Sequence, residues 1–137
     1  MWEEGNMNGL RHFGLALTVL AIPVWAHHSF TAQYDVNKPI TLTGGVTKIE
    51  WTNPHARFYI DVKDANGMVT NWELELGSPN TLIRYGFKRD SMKVGEQVTV
   101  EGYLAKDGSK TANAKTVKFA DGHTVNAGSS SDLDTTK

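Results

Sequence analysis

The sequence predicts a small all-β domain with a slight helical contribution: three strands, one short helix, then two more strands. Three observations carry this reading. Apolar and polar residues alternate through Phe58–Val62, Trp72–Leu76 and Val98–Gly102, the period of a strand with one buried face. Asn66-Gly67 and Asp107-Gly108 stand between such runs, and both pairs accept the positive φ of a tight hairpin. Ser78-Pro79 opens a brief helical pattern, with Ser as N-cap and Pro at the first turn.

The elements follow in order. Residues 27–39 have no clear period and read as an extended N-terminal arm, with Phe30 and Tyr34 as its aromatic anchors. The first strand is expected from Ile40 through Leu42, Val46 and Ile49 towards Trp51. Gly44-Gly45 marks a bulge or sharp bend within it. Asn53-Pro54 signals a turn. The second strand places Phe58, Ile60 and Val62 on one face and Arg57, Tyr59 and Asp61 on the other. The third returns with Trp72, Leu74 and Leu76 inward, and Glu73 and Glu75 on the outer, wet face. The helix carries Leu82 and Ile83 and stops at Gly86. It spans about two turns, so packing must hold it. Val94-Gly95-Glu96 turns into the fourth strand, Gln97–Leu104, and the fifth is Ala112–Phe119, ended by Asp121-Gly122. This order is that of a five-stranded OB-like barrel, whose helix lies between strands three and four. A sandwich usually needs about seven strands.

Four segments are expected along the 137 residues. Residues 1–26 read as a cleavable secretory leader, with Arg11 and His12 before the apolar run Phe13–Ile22 and Val24-Trp25-Ala26 at the cut. Pro23 interrupts the run, which is shorter than the ~20 residues of a membrane span. Residues 27–39 are the arm, 40–127 the barrel and 128–137 a disordered tail of Ser, Thr and Asp. Met7 is an alternative start, because Glu3 and Glu4 are unusual in a leader. The expected address is the periplasm, with no membrane span after cleavage.

Composition removes several function classes. The chain has no cysteine, which excludes disulfides and thiolate chemistry. Its 14 basic and 15 acidic residues nearly cancel, and removing the leader brings the balance to zero. A nucleic-acid binder usually carries a basic excess. No GxSxG, HExxH or phosphate-cradling glycine loop is present. Glu73 and Glu75 could form an acid–base pair, but their expected wet face argues against it. No catalytic residue is assigned.

Metal ligation is the sharpest chemical reading. A cut after Ala26 makes His27 the first residue. Its α-amine titrates near 8 and its ring near 6.5, so both can bind a cation at neutral pH, and together they close a six-membered chelate. Nitrogen donors without thiolate suit copper, the tightest-bound divalent ion of this series. His28 and His55 are candidates to complete the site. His55 sits in Trp51-Thr52-Asn53-Pro54-His55, where Pro54 stiffens the loop. The arm can reach about 40 Å when extended. His123, in a turn, reads as a surface residue. The expected role is copper sequestration or delivery. The alternative is a non-catalytic envelope module that presents Trp51, Arg57 and Tyr59 to a glycan, peptide or partner protein.

Several segments together resemble a family of small exported Gram-negative bacterial proteins of unknown function. These are His27-His28-Ser29-Phe30, Tyr34-Asp35, Leu42-Thr43-Gly44, Trp51-Thr52-Asn53-Pro54-His55, Trp72-Glu73-Leu74-Glu75 and Ala105-Lys106-Asp107-Gly108-Ser109. The HHSF start and the WxNPH segment are the most specific. Phe87 stands where the family often has Trp, and His123 where Arg is common. The resemblance implies a periplasmic address and no established activity.

Overall fold

A computed structural model describes residues 30–129. Residues 30–33 are helical and run into β1 (Tyr34–Glu50). There follow β2 (Arg57–Lys63), β3 (Val69–Glu75), helix α1 (Pro79–Arg84), β4 (Gln97–Ala105), β5 (Thr111–Phe119) and the short β6 (Thr124–Asn126). The hydrogen-bonded order is β3-β2-β1-β4-β5-β6, and a further pairing of β3 with β5 closes five strands into a ring. That closing pair is parallel, whereas the other pairs are antiparallel. The helix lies between the third and fourth strands. This is the OB-type barrel the alternation and turns predict, with β6 as a sixth strand laid on β5.

β1 begins at Tyr34 rather than at Ile40. Its first part pairs with β4, from Tyr34 opposite Ala105 to Gly45 opposite Gln97. Its last part pairs with β2, from Gly45 opposite Asp61 to Glu50 opposite Arg57. One strand thus serves two neighbours by bending, and Gly44 makes the bend fit. A Cβ there would lie 2.2 Å from the backbone oxygen of Asp61. Gly102 on β4 plays the same part, since its Cβ would meet the Asn113 backbone oxygen at 1.9 Å.

The core is the predicted inner face. Phe58 and Ile60 of β2, Leu74 of β3, Val98 and Val100 of β4 and Val117 of β5 are all buried. Removing one such side chain from water is worth about 1.5–3 kcal/mol. Leu82 of α1 is fully buried, so the helix plugs the barrel with this side chain while Ile83 stays exposed. Ser78 Oγ accepts from Thr81 N at 3.3 Å, Pro79 stands in the first turn, and Gly86 follows with φ +81°. Each is the cap that the local sequence specifies.

Both ends of the described chain are seated. Phe30 and Tyr34 are buried, as aromatic anchors should be. At the other end the amide of Gly77 donates to Ala127 O at 2.8 Å, and Ser129 is buried against Asn113. Packed structure therefore continues through Gly128 and Ser129, two residues into the segment expected to be tail.

Candidate functional site

The hairpin β2–β3 decides which polar groups meet. With the turn centred on Asn66-Gly67, Arg57 stands opposite Glu75 and Tyr59 opposite Glu73. Cross-strand partners share a face, and this face is the outer one, because Phe58, Leu74 and their neighbours point inward. Arg57 therefore lies between two carboxylates. Its terminal nitrogen is 3.3 Å from Glu75 Oε2, and its Nε is 2.9 Å from Glu73 Oε1. The Nε–H does not point along that second line and makes no aligned hydrogen bond. The contact with Glu73 is thus one of charge.

Glu75 is the centre of the cluster. It is buried, although it faces away from the barrel core. The N-terminal segment comes close here: Tyr34, itself buried, interacts with the Glu75 carboxylate. Phe30 packs on Tyr34, ring centroids 5.5 Å apart, and edge-on to Tyr103 at 6.2 Å. The expected wet face holds for Glu73, which is half-buried, and fails for Glu75. Alternation reports direction relative to the barrel, and a chain segment lying across the outside is invisible to it.

His55 completes the cluster from the loop between β1 and β2. Its Nδ1 lies 3.2 Å from Glu75 Oε1. Its side chain is 36% exposed against 9% for Glu75, so the ring is partly open to solvent. Three groups thus converge on one carboxylate: the Tyr34 hydroxyl, the His55 ring and the Arg57 guanidinium. The hydrogen bond to Glu75 raises the His55 pKa above its ordinary value, against the opposing effect of burial. Burial pushes Glu75 up, but the bond and charge of His55 and the charge of Arg57 outweigh it, and its pKa falls below the ordinary value. Burial and the neighbouring Glu75 charge push the Tyr34 hydroxyl well up, so it stays protonated and donates.

Of the residues singled out from sequence, His27 and His28 lie outside the described residues. Trp51 packs on the core, edge-on to Phe87 with centroids 6.0 Å apart. Tyr59 lies on the outer face, its hydroxyl 3.1 Å from Glu50 Oε2 and Lys48 over its ring. The two aromatics point to opposite sides of the wall and share no platform. Arg57 is committed to Glu73 and Glu75. His123 is exposed, stacked on Phe119 and paired with Asp121. Sequence reasoning missed Glu75 as a site residue and Tyr34 as its donor. Counting the hairpin register outward from Asn66-Gly67 yields the pairing of Arg57 with Glu75. Nothing in the local sequence yields the contact with Tyr34. Among the described residues no group of three or more His, Cys, Asp or Glu side chains is placed to hold a metal ion.

The model of a family of unknown function, DUF6152, matches residues 16–114. No curated protein matches the sequence. Among solved structures, the mitochondrial single-stranded DNA binding protein Rim1 of S. cerevisiae is similar at TM-score 0.48 and 10% identity. That likeness covers 61% of this chain and 93% of Rim1. TiaS, solved in complex with a transfer RNA and ATP, is similar at TM-score 0.43 and 24% identity, over 59% of this chain. The chain spans only 18% of TiaS. Both likenesses concern the fold.

Proposed function

The chain belongs to that family, DUF6152, whose description assigns no activity, and we propose that it is an exported periplasmic copper-binding protein. In this reading the leader is cut after Ala26, and the α-amine and ring of His27 hold the ion. His55 adds a third nitrogen, and His28 is the alternative. The role is sequestration or delivery of copper.

The observation that supports this best is the close approach of His55 Nδ1 to the Glu75 carboxylate, 3.2 Å from Oε1. A histidine that ligates through Nε2 needs its Nδ1–H held by an acceptor, which fixes both tautomer and ring direction. Glu75 stands beside that nitrogen and is itself paired with Arg57, which favours this reading. A surface histidine with no task needs no such support. Chain length also supports the reading. His27 stands three positions before Phe30, about 10 Å at full extension. Phe30 packs on Tyr34, which interacts with the carboxylate beside His55.

The test has two parts. The mass of the protein from the envelope fraction gives its first residue. Protein with that start is then titrated with Cu(II), free and after acetylation of the α-amine. The reading expects His27 at the start and tight one-to-one binding that acetylation abolishes. A different first residue, or binding indifferent to acetylation, overturns it.

A further inference from the structure

We propose that the segment Ile83–Val94, from the end of α1 to the turn before β4, is a docking surface for an anionic lipid bilayer. Charge is the first sign of it. Nearly neutral overall, the chain gathers Arg84, Lys88, Arg89 and Lys93 within this one segment, against the single acid Asp90. All four cations are exposed. Among the described residues none of their side chains enters an ion pair, whereas Lys48 and Arg57 both do. The nearest further carboxylate along the chain, Glu96, accepts the backbone amide of Lys93 at 2.8 Å.

Apolar exposure falls in the same segment. Ile83 is 52%, Tyr85 46% and Val94 64% exposed. They make up half of the large apolar side chains exposed among the described residues; the other three are Val36, Met68 and Val69. Exposed aliphatic and aromatic groups interleaved with unpaired cations suit a bilayer interface. The apolar groups enter the headgroup boundary and the cations meet lipid phosphates.

The segment is also held firmly enough to present these groups. Phe87 and Met92 are buried and pin its middle to the barrel. The amide of Lys88 donates to Ser91 Oγ at 2.8 Å, and that of Gly95 to Val46 O at 2.7 Å. With Leu82, Phe87 and Met92 facing in, the residues between them are left to face out. A bilayer surface accepts such a strip without demanding the matched cavity that a folded partner requires.

The experiment measures co-sedimentation of the chain starting at His27 with two kinds of vesicle. One is phosphatidylcholine with a large fraction of phosphatidylglycerol, and the other is phosphatidylcholine alone. The proposal expects binding to the first at low salt, weakening as salt rises, and none to the second. Each cation near such a surface contributes roughly a fivefold factor, so Arg84→Gln with Arg89→Gln should weaken binding by about 25-fold. Ile83→Ser with Tyr85→Ser should weaken it as well, while Lys115→Gln with Lys118→Gln on β5 should not. Melting temperatures of all variants report folding separately. No binding to anionic vesicles overturns the proposal. So does equal loss in the β5 control, or full binding by both segment variants.

Discussion

The carboxylate of Glu75 is buried on the outside of the barrel, where the hydroxyl of the buried Tyr34 interacts with it. Two residues far apart in the chain meet in one contact, and it links the N-terminal segment to the hairpin that supports His55. Most of what this protein is expected to do depends on that link.

Tyr34→Phe keeps the ring against Phe30 and removes only the hydroxyl. A hydrogen bond to a charged buried group contributes about 1.5–3 kcal/mol. The variant should lose about 2 kcal/mol in urea unfolding, with little change in the slope against denaturant. A loss below a few tenths would mean that the hydroxyl is not a donor to Glu75.

Glu75→Ala should touch more groups. It strands the buried Tyr34 hydroxyl, leaves Arg57 beside Glu73 alone and frees the His55 ring. The expected cost is about 1–3 kcal/mol, that of an unsatisfied buried partner. Copper affinity should fall about 10–100-fold, the usual effect of removing the group that orients a ligating histidine. Unchanged affinity in a folded variant would separate His55 from the metal.

The pair also sets a pH dependence. His55 has a raised pKa in the fold, so its contribution is complete below its ordinary value of 6.5 and is lost as pH rises through the raised value. Glu75 has a lowered pKa, so its contribution is complete above 4.5 and is lost as pH falls through the lowered value. Both are present together between about 4.5 and 6.5. Metal-free protein should therefore lose melting temperature as pH is raised from 6.5, and His55→Gln should lose less. Parallel profiles for the two proteins would contradict the assigned pairing.

Gly102→Ala tests barrel closure. The new Cβ would sit 1.9 Å from the backbone oxygen of Asn113, and backbone cannot move aside as a side chain can. Overpacking costs about 1–3 kcal/mol or more, and this variant belongs at or above the top of that range. Gly45→Ala is the control on β1, where the nearest atom is a glutamine side-chain oxygen at 3.7 Å. Thermal melts of the two should differ clearly.

Much of the fold is legible in the sequence because it is written locally. The two hairpins, the Ser78-Pro79 cap and the inward row Phe58, Ile60, Trp72 and Leu74 follow from alternation and turn chemistry. The early start of β1 is not legible. Val36, Asn37, Lys38 and Pro39 are all exposed in it, so no burial period marks the strand, and only pairing with β4 reveals it. β6 has three residues, too few to show a period. Of the site, His55 stands out through its loop. Glu75 does not, because its neighbour Tyr34 is placed by the pairing of β1 with β4. Trp51 reads from sequence as an exposed platform residue. Its position one step past β1, beside Phe87 of the α1–β4 segment, is likewise a tertiary fact.

Whether His55 and the terminal histidine hold one copper ion between them can be read by electron paramagnetic resonance. The Cu(II)-loaded chain starting at His27 is compared with its His55→Ala variant. The parent should show hyperfine coupling to three nitrogens, and the variant should lose one of them together with at least about tenfold in affinity. Identical spectra and affinities would show that His55 takes no part and that copper binds at the terminus alone.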